Sequence, residues 1–154
     1  MNRFIILILI TLFCQKTYAI EIIGFSKIID GDTIHISSNK IRLEGIDAPE
    51  MKQKCKKSQK EYFCGIVSQI KLKEKINNNQ VKCISSSKDK YQRYIAICFI
   101  KDINLNKWMV RNGYAISYKR YSKKYVPDED FAKRNKLGVW SGFFMEPEKW
   151  RKLN

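Results

Sequence analysis

The hydrophobic pattern changes character near residue 20. Residues 4–13 are almost continuously apolar; beyond Ile20 the chain breaks into short runs separated by polar and glycine-containing turns. Runs rich in β-branched residues cover 20–29, 33–37, 40–46, 80–85 and 93–100, and each is expected to form a strand. The first three are divided only by Asp30-Gly31-Asp32 and Ser38-Asn39, which makes them a meander. Helical spacing is expected over 62–76, where Ile66, Ile70, Leu72 and Ile76 make an apolar face and Asn77-Asn78-Asn79 a stop. A second helix is expected over 102–112, with Leu105, Trp108 and Met109 inward and Gly113 as its C-terminal cap. A third, over 127–137, starts at Pro127, with Asp128, Glu129 and Asp130 at the positive end of the helix dipole. The aromatic tail 138–150 is expected to fold back on the domain. Five strands and about three helices predict an α+β fold rich in β-structure, a small five-stranded barrel.

The leading apolar run alters the domain count. Met1-Asn2-Arg3 gives a positive start, residues 4–13 an apolar core, and Thr17-Tyr18-Ala19 small residues where a signal peptidase cuts. Residues 1–19 therefore read as a secretory signal peptide, and 20–154 as one exported domain, periplasmic or secreted. The run is too short for an ordinary membrane-spanning helix, so no stable membrane anchor is expected. A lipoprotein would use Cys14, but Phe13 stands where a small residue is required.

Charge narrows the partners. The chain carries 30 Lys+Arg against 15 Asp+Glu; removing the leader takes away Arg3 and Lys16 and leaves a net charge of +13. Such an excess favours polyanions, nucleic acid among them, although a Lys-, Asn- and Ile-rich composition also follows from an AT-rich genome. The segment 118–125, YKRYSKKY, interleaves aromatic and basic residues in a way that suits stacking on bases along a phosphate backbone. Residues 52–60, KQKCKKSQK, read as a basic solvated loop.

The domain keeps four cysteines: Cys55, Cys64, Cys83 and Cys98. An even number in an exported chain reads as disulfides, and four cysteines allow three pairings. A hairpin centred near Lys90–Tyr91 sets Cys83 opposite Cys98, which favours Cys83–Cys98 with Cys55–Cys64. Zinc is disfavoured: there is no Cys-x-x-Cys pair, and His35 is the only histidine.

The remaining chemistry sits in three short stretches. Asp30 and Asp32 flank Gly31 in "IIDGDTIHI"; taken alone, Asp-Gly reads as a tight turn. "IRLEGIDAPE", residues 41–50, places Arg42 opposite the inward Ile41 and Leu43 and ends in Asp47 and Glu50. "DKYQR", residues 89–93, puts Arg93 at the end of a turn. Carboxylates that hold a hard cation, one that deprotonates water, and two guanidinium forks form a kit for cutting a phosphodiester. Lysine lacks the planar fork that this task uses.

These three motifs together closely resemble the staphylococcal nuclease (thermonuclease) family, over about residues 22–140. The resemblance implies a five-stranded OB-type barrel and a calcium-dependent endonuclease acting on DNA and RNA and leaving 3′-phosphates. It implies Ca2+ on Asp32, Asp47 and the Ala48 carbonyl, with Asp30 behind them. Glu50 is then the general base, and Arg42 and Arg93 the phosphate-holding catalytic arginines. Lys90, Tyr91 and Tyr118 are expected to contact the substrate, and the protein is expected to be monomeric. Two departures stand out: Ala48 where threonine is common, and Gln92 where glycine is common, which changes the turn that presents Arg93. The competing reading is a non-catalytic OB-fold module that binds nucleic acid, for which the loss of Glu50 or of one arginine would be expected. A basic envelope protein would give no reason for Asp32, Asp47 and Glu50 to occur together.

Overall fold

The computed structural model describes residues 19–154, so the signal-peptide reading falls outside the described residues. The first expected strand is a bent segment, β1 (Ile20–Gly24) and β2 (Ser26–Ile28), and the next two runs form β3 (Thr33–Ile36) and β4 (Asn39–Leu43). A short strand β5 (Ile46–Asp47) and a hairpin, β6 (Lys54–Lys57) and β7 (Lys60–Phe63), precede helix α1 (Cys64–Ile76). The long hairpin β8 (Val81–Lys88) and β9 (Tyr94–Ile100) turns through residues 89–93, as the sequence predicts. The chain continues through β10 (Ile103–Asn104), α2 (Leu105–Arg111), β11 (Ile116–Ser117), α3 (Val126–Arg134), a 3-10 turn (Gly138–Ser141) and α4 (Pro147–Leu153).

The main sheet runs β1-β8-β9-β4-β3-β2, with β10 beside β9. β4 lies parallel to β9, and every other pairing in it is antiparallel. Because β1 and β2 are one bent segment sitting at opposite ends of this order, the sheet curls on itself. This is the OB-type α+β architecture expected. Period-two alternation fills the interior: Ile34 and Ile36 from β3, Ile41 and Leu43 from β4, and Ala96 and Cys98 from β9 are buried. Leu72 and Ile76 of α1 and Leu105, Met109 and Val110 of α2 close this core. Asn106, fully buried on α2, ties the helix to the barrel by donating to the Glu44 and Ala96 carbonyls (both 3.0 Å) and accepting from Cys98 N–H (3.0 Å).

Several expectations need correction. The basic loop at 52–60 is the β6–β7 hairpin, stapled to the start of α1 by Cys55–Cys64. Helix α1 does not bury Ile66 and Ile70, which are exposed; Cys64, Gly65, Ser68, Leu72 and Ile76 face inward. Small residues are needed there because the helix crosses very close to the chain before it. A Cβ on Gly65 would lie 1.9 Å from the Glu50 carbonyl oxygen. The second helix begins only at Leu105, since Ile103–Asn104 pairs with β9; Asn104 caps it by accepting from Lys107 N–H (2.9 Å). Gly113 does end that helix in the left-handed region, at φ +70°. Glu129 does more than face a helix dipole: it is buried and accepts hydrogen bonds from Ser117 N–H (3.2 Å) and Lys119 (3.0 Å). The aromatic tail folds back as expected. Lys56 and Phe143 exchange backbone hydrogen bonds (both 2.8 Å), and the tail ends in an unforeseen fourth helix, α4. The second disulfide, Cys83–Cys98, bridges directly opposed residues of β8 and β9.

Candidate active site

The Asp30-Gly31-Asp32 break is built by its own side chains. Asp30 Oδ1 accepts the Asp32 N–H (2.9 Å), which folds the chain back on itself. Gly31 is required by contact rather than by a left-handed backbone: an added Cβ would lie 2.0 Å from Ser68 Oγ and 2.7 Å from Ala48 Cβ. Held this way, Asp32 is buried, and its Oδ2 accepts the Ala48 N–H (2.7 Å). The two motifs, sixteen residues apart, are thus joined at their chemical ends.

Asp47 is fully buried on β5, which pairs with β11. Arg42 of β4 lies between the two carboxylates, with Nη1 at 2.8 Å from Asp32 Oδ1 and Nη2 at 3.2 Å from Asp47 Oδ1. Burial pushes the Asp47 carboxyl up to about 6, even though Arg151 and Arg42 oppose the shift. Asp30 is likewise pushed up to about 6, by burial first and then by the charge of Asp32. The cluster holds more buried negative charge than one guanidinium neutralises.

Glu50 lies on the segment between β5 and β6. Its backbone N–H donates to the side chain of Gln53 (3.1 Å), a fully buried glutamine whose Nε2 donates to the Met145 carbonyl (2.6 Å). Gln53 thereby fixes both the Glu50 backbone and the returning tail.

A cleft of about 860 Å³ opens over this cluster, lined among others by Asp32, Arg42, Glu50, Arg93 and Tyr118. Lys90 and Tyr91 stand on its rim. Arg93 is held by Asp89 through both Nε (2.8 Å) and Nη2 (2.8 Å), and Asp89 Oδ1 accepts the Tyr91 and Arg93 N–H groups (2.9 and 3.0 Å). Gln92 adopts φ +62°, in the left-handed region that favours glycine. Tyr118 packs edge-on against Tyr121, with ring centroids 4.7 Å apart. Asp47 and Ala48 lie beneath the cleft, both buried.

One participant lay outside every motif. Arg151 of α4 clamps Asp47 with Nη1 on Oδ1 (2.9 Å) and Nη2 on Oδ2 (3.0 Å), and its Nη1 also reaches Glu50 Oε1 (2.7 Å). Burial lowers the Arg151 pKa, but the hydrogen bonds to Asp47 and Glu50 outweigh it and raise the value well above the usual. Nothing in the sequence around it pointed to these partners.

Among the described residues no three acidic, His or Cys side chains converge into a closed metal cage. Two buried carboxylates, next to a water-accessible cleft, instead form a partial set of hard oxygen donors. Such a set fits a divalent cation that takes its other ligands from backbone, water and substrate.

The family model described as "Staphylococcal nuclease homologue" matches residues 40–142, more than half of the chain. Several named proteins are similar over most of it. A protein from Haemophilus influenzae named "Uncharacterized endonuclease" is 33% identical over 134 residues, covering 82% of this chain and 70% of that protein. "Micrococcal nuclease" of Shigella flexneri is 29% identical over 146 residues, 83% of this chain and 79% of its own. "Succinoglycan biosynthesis protein ExoI" of Rhizobium meliloti is 32% identical over 123 residues, 77% of this chain but only 64% of that protein. The matched span holds Arg42, Glu50 and Arg93, which line one cleft, and Asp47, which pairs with Arg42 beneath it, and with that agreement the chain belongs to the staphylococcal nuclease homologue family.

Proposed function

We propose that this protein is an exported, calcium-dependent endonuclease that hydrolyses DNA and RNA and leaves 3′-phosphates. The observation that carries the reading is the pair Asp32 and Asp47, buried on either side of Arg42 at the floor of a cleft that also holds Glu50 and Arg93. Relatives named as endonucleases and as micrococcal nuclease support it.

Asp32, Asp47 and the Ala48 carbonyl would hold Ca2+, which when bound supplies Lewis-acid polarisation of a phosphate oxygen. The chain's own residues do the rest. Glu50 takes a proton from the attacking water, whose oxygen forms the new bond to phosphorus as the bond to the 5′-oxygen breaks. The departing 5′-oxygen takes a proton from solvent water in the open cleft and leaves as a hydroxyl. Arg42 and Arg93 direct planar N–H forks at the phosphate and stabilise the charge it gains in the transition state. Asp89 orients Arg93 through two contacts, so that little side-chain freedom is lost when the phosphate arrives. Lys90, Tyr91, and Tyr118 on its Tyr121 support, line the path of the strand and offer charge and stacking faces. Residues 1–19 act as the signal peptide, and residues 20–154 work as a monomer. No helix of the described residues is long and apolar enough to cross a membrane.

Digestion of plasmid DNA and RNA, with calcium or with chelator, tests the reading together with Glu50→Gln. That variant keeps size and hydrogen bonding but loses the base, so substrate should still bind while turnover falls by about 10²–10⁴-fold. Wild-type activity that survives chelator, or Glu50→Gln cutting at the wild-type rate, would refute the mechanism.

A further inference from the structure

The helix that carries Arg151 rests on the domain with little apolar contact. Of the α4 residues only Pro147 is buried, and Leu153 is largely exposed. Ion pairs hold it instead: Glu148 meets Arg120 (3.0 Å), and Arg151 meets Asp47 and Glu50. An ionised carboxylate offers about four lone-pair directions on its two oxygens. On Asp47, Arg42 takes one on Oδ1, and Arg151 takes one on each oxygen. About one direction on Oδ2 is left, and a hard cation taking it would stand beside guanidiniums of like charge in a partly dry site.

We propose that Arg151 is a tethered competitor of the divalent cation: a positioning residue, delivered by the C-terminal helix, that keeps Asp47 and Glu50 paired until the cation displaces it. This rests on the reading of Asp47 as a cation ligand. The clamp has two consequences in the site. It neutralises the buried carboxylates, so the fold tolerates them without a cation. It also holds Glu50 in an ion pair through Oε1, which lowers the readiness of that carboxylate to take a proton from water. Loading the cation releases α4 and frees Glu50 in one event, so cation affinity is set partly by how firmly the arm is held.

The test titrates calcium alone into wild type, Arg151→Gln and Arg151→Lys by calorimetry and follows hydrogen exchange of the α4 amides with and without calcium. Losing one charge-assisted clamp should tighten calcium binding of Arg151→Gln by about ten-fold. Arg151→Lys, with charge but no fork, should fall between. Arg120→Gln loosens the arm without touching the carboxylates and should shift affinity the same way by less. In wild type, calcium should speed exchange along α4. Equal or weaker calcium binding by Arg151→Gln, with wild type binding normally, overturns the competitor and leaves the cation reading standing. If no variant and no wild type binds calcium, the cation reading fails and the competitor falls with it.

Discussion

Replacing Gly31 by alanine probes the close approach that joins the two acidic motifs. The added methyl would start 2.0 Å from Ser68 Oγ, 2.9 Å from Ser68 Cβ and 2.7 Å from Ala48 Cβ. Carbon atoms are comfortable at about 3.5–4.0 Å, so α1 and the 47–50 segment must separate by about 1 Å. Ser68 cannot simply rotate away, because it is buried and donates to the Tyr114 carbonyl at 2.6 Å. Overpacking of this kind costs about 1–3 kcal/mol, and loosening that hydrogen bond adds about 1 kcal/mol. A loss near 3 kcal/mol lowers the melting temperature of a domain this size by about 10 °C. Thermal and urea denaturation would measure it, alone and in a Ser68→Gly background. The second change removes two of the three clashing atoms, so the double variant should recover part of the loss beyond additivity. Melting of Gly31→Ala within a degree of wild type, or strict additivity with Ser68→Gly, would refute the steric account.

Two further outcomes follow from the backbone and the cross-links. Removing the Cys83–Cys98 bridge by a double alanine substitution opens a loop of 15 residues and should cost about 3 kcal/mol, read from the shift in the urea midpoint. Gln92→Gly should stabilise the protein by about 0.5–1 kcal/mol, because it relieves the left-handed strain at φ +62° while losing some unfolded-state restriction. A destabilised Gln92→Gly would mean that the glutamine side chain contributes contacts that outweigh the strain.

The strands, the two disulfide pairings and most of the acidic cluster were legible in the sequence because each depends on local pattern or on a motif. Ile41 and Leu43 alternate with Arg42 as an inward and outward strand must, and the 89–93 turn fixes the register that opposes Cys83 to Cys98. The burial of α1 was misread because hydropathy rewards large apolar residues. The tight crossing over Glu50 and Gly31 instead selects Gly65 and Ser68 and turns Ile66 and Ile70 outward. Gln53 was invisible for a related reason: a glutamine in a basic segment gives no sign that it is buried with both ends of its amide bonded. Arg151 stands 104 residues from Asp47, and nothing local to "EKWRKL" encodes a partner that far away.

The bent segment that supplies β1 and β2 bears on how this protein behaves at high concentration. A sheet with long open edges invites edge-to-edge pairing between molecules, the first step of aggregation. Here the two outermost strands of the sheet order are five and three residues long and belong to one continuous stretch that curls to meet itself. Each also carries an outward charge, Glu21 on β1 and Lys27 on β2. A neighbouring chain is thus offered only short, twisted templates, which disfavours strand addition even though Ile20 and Ile23 of β1 are exposed.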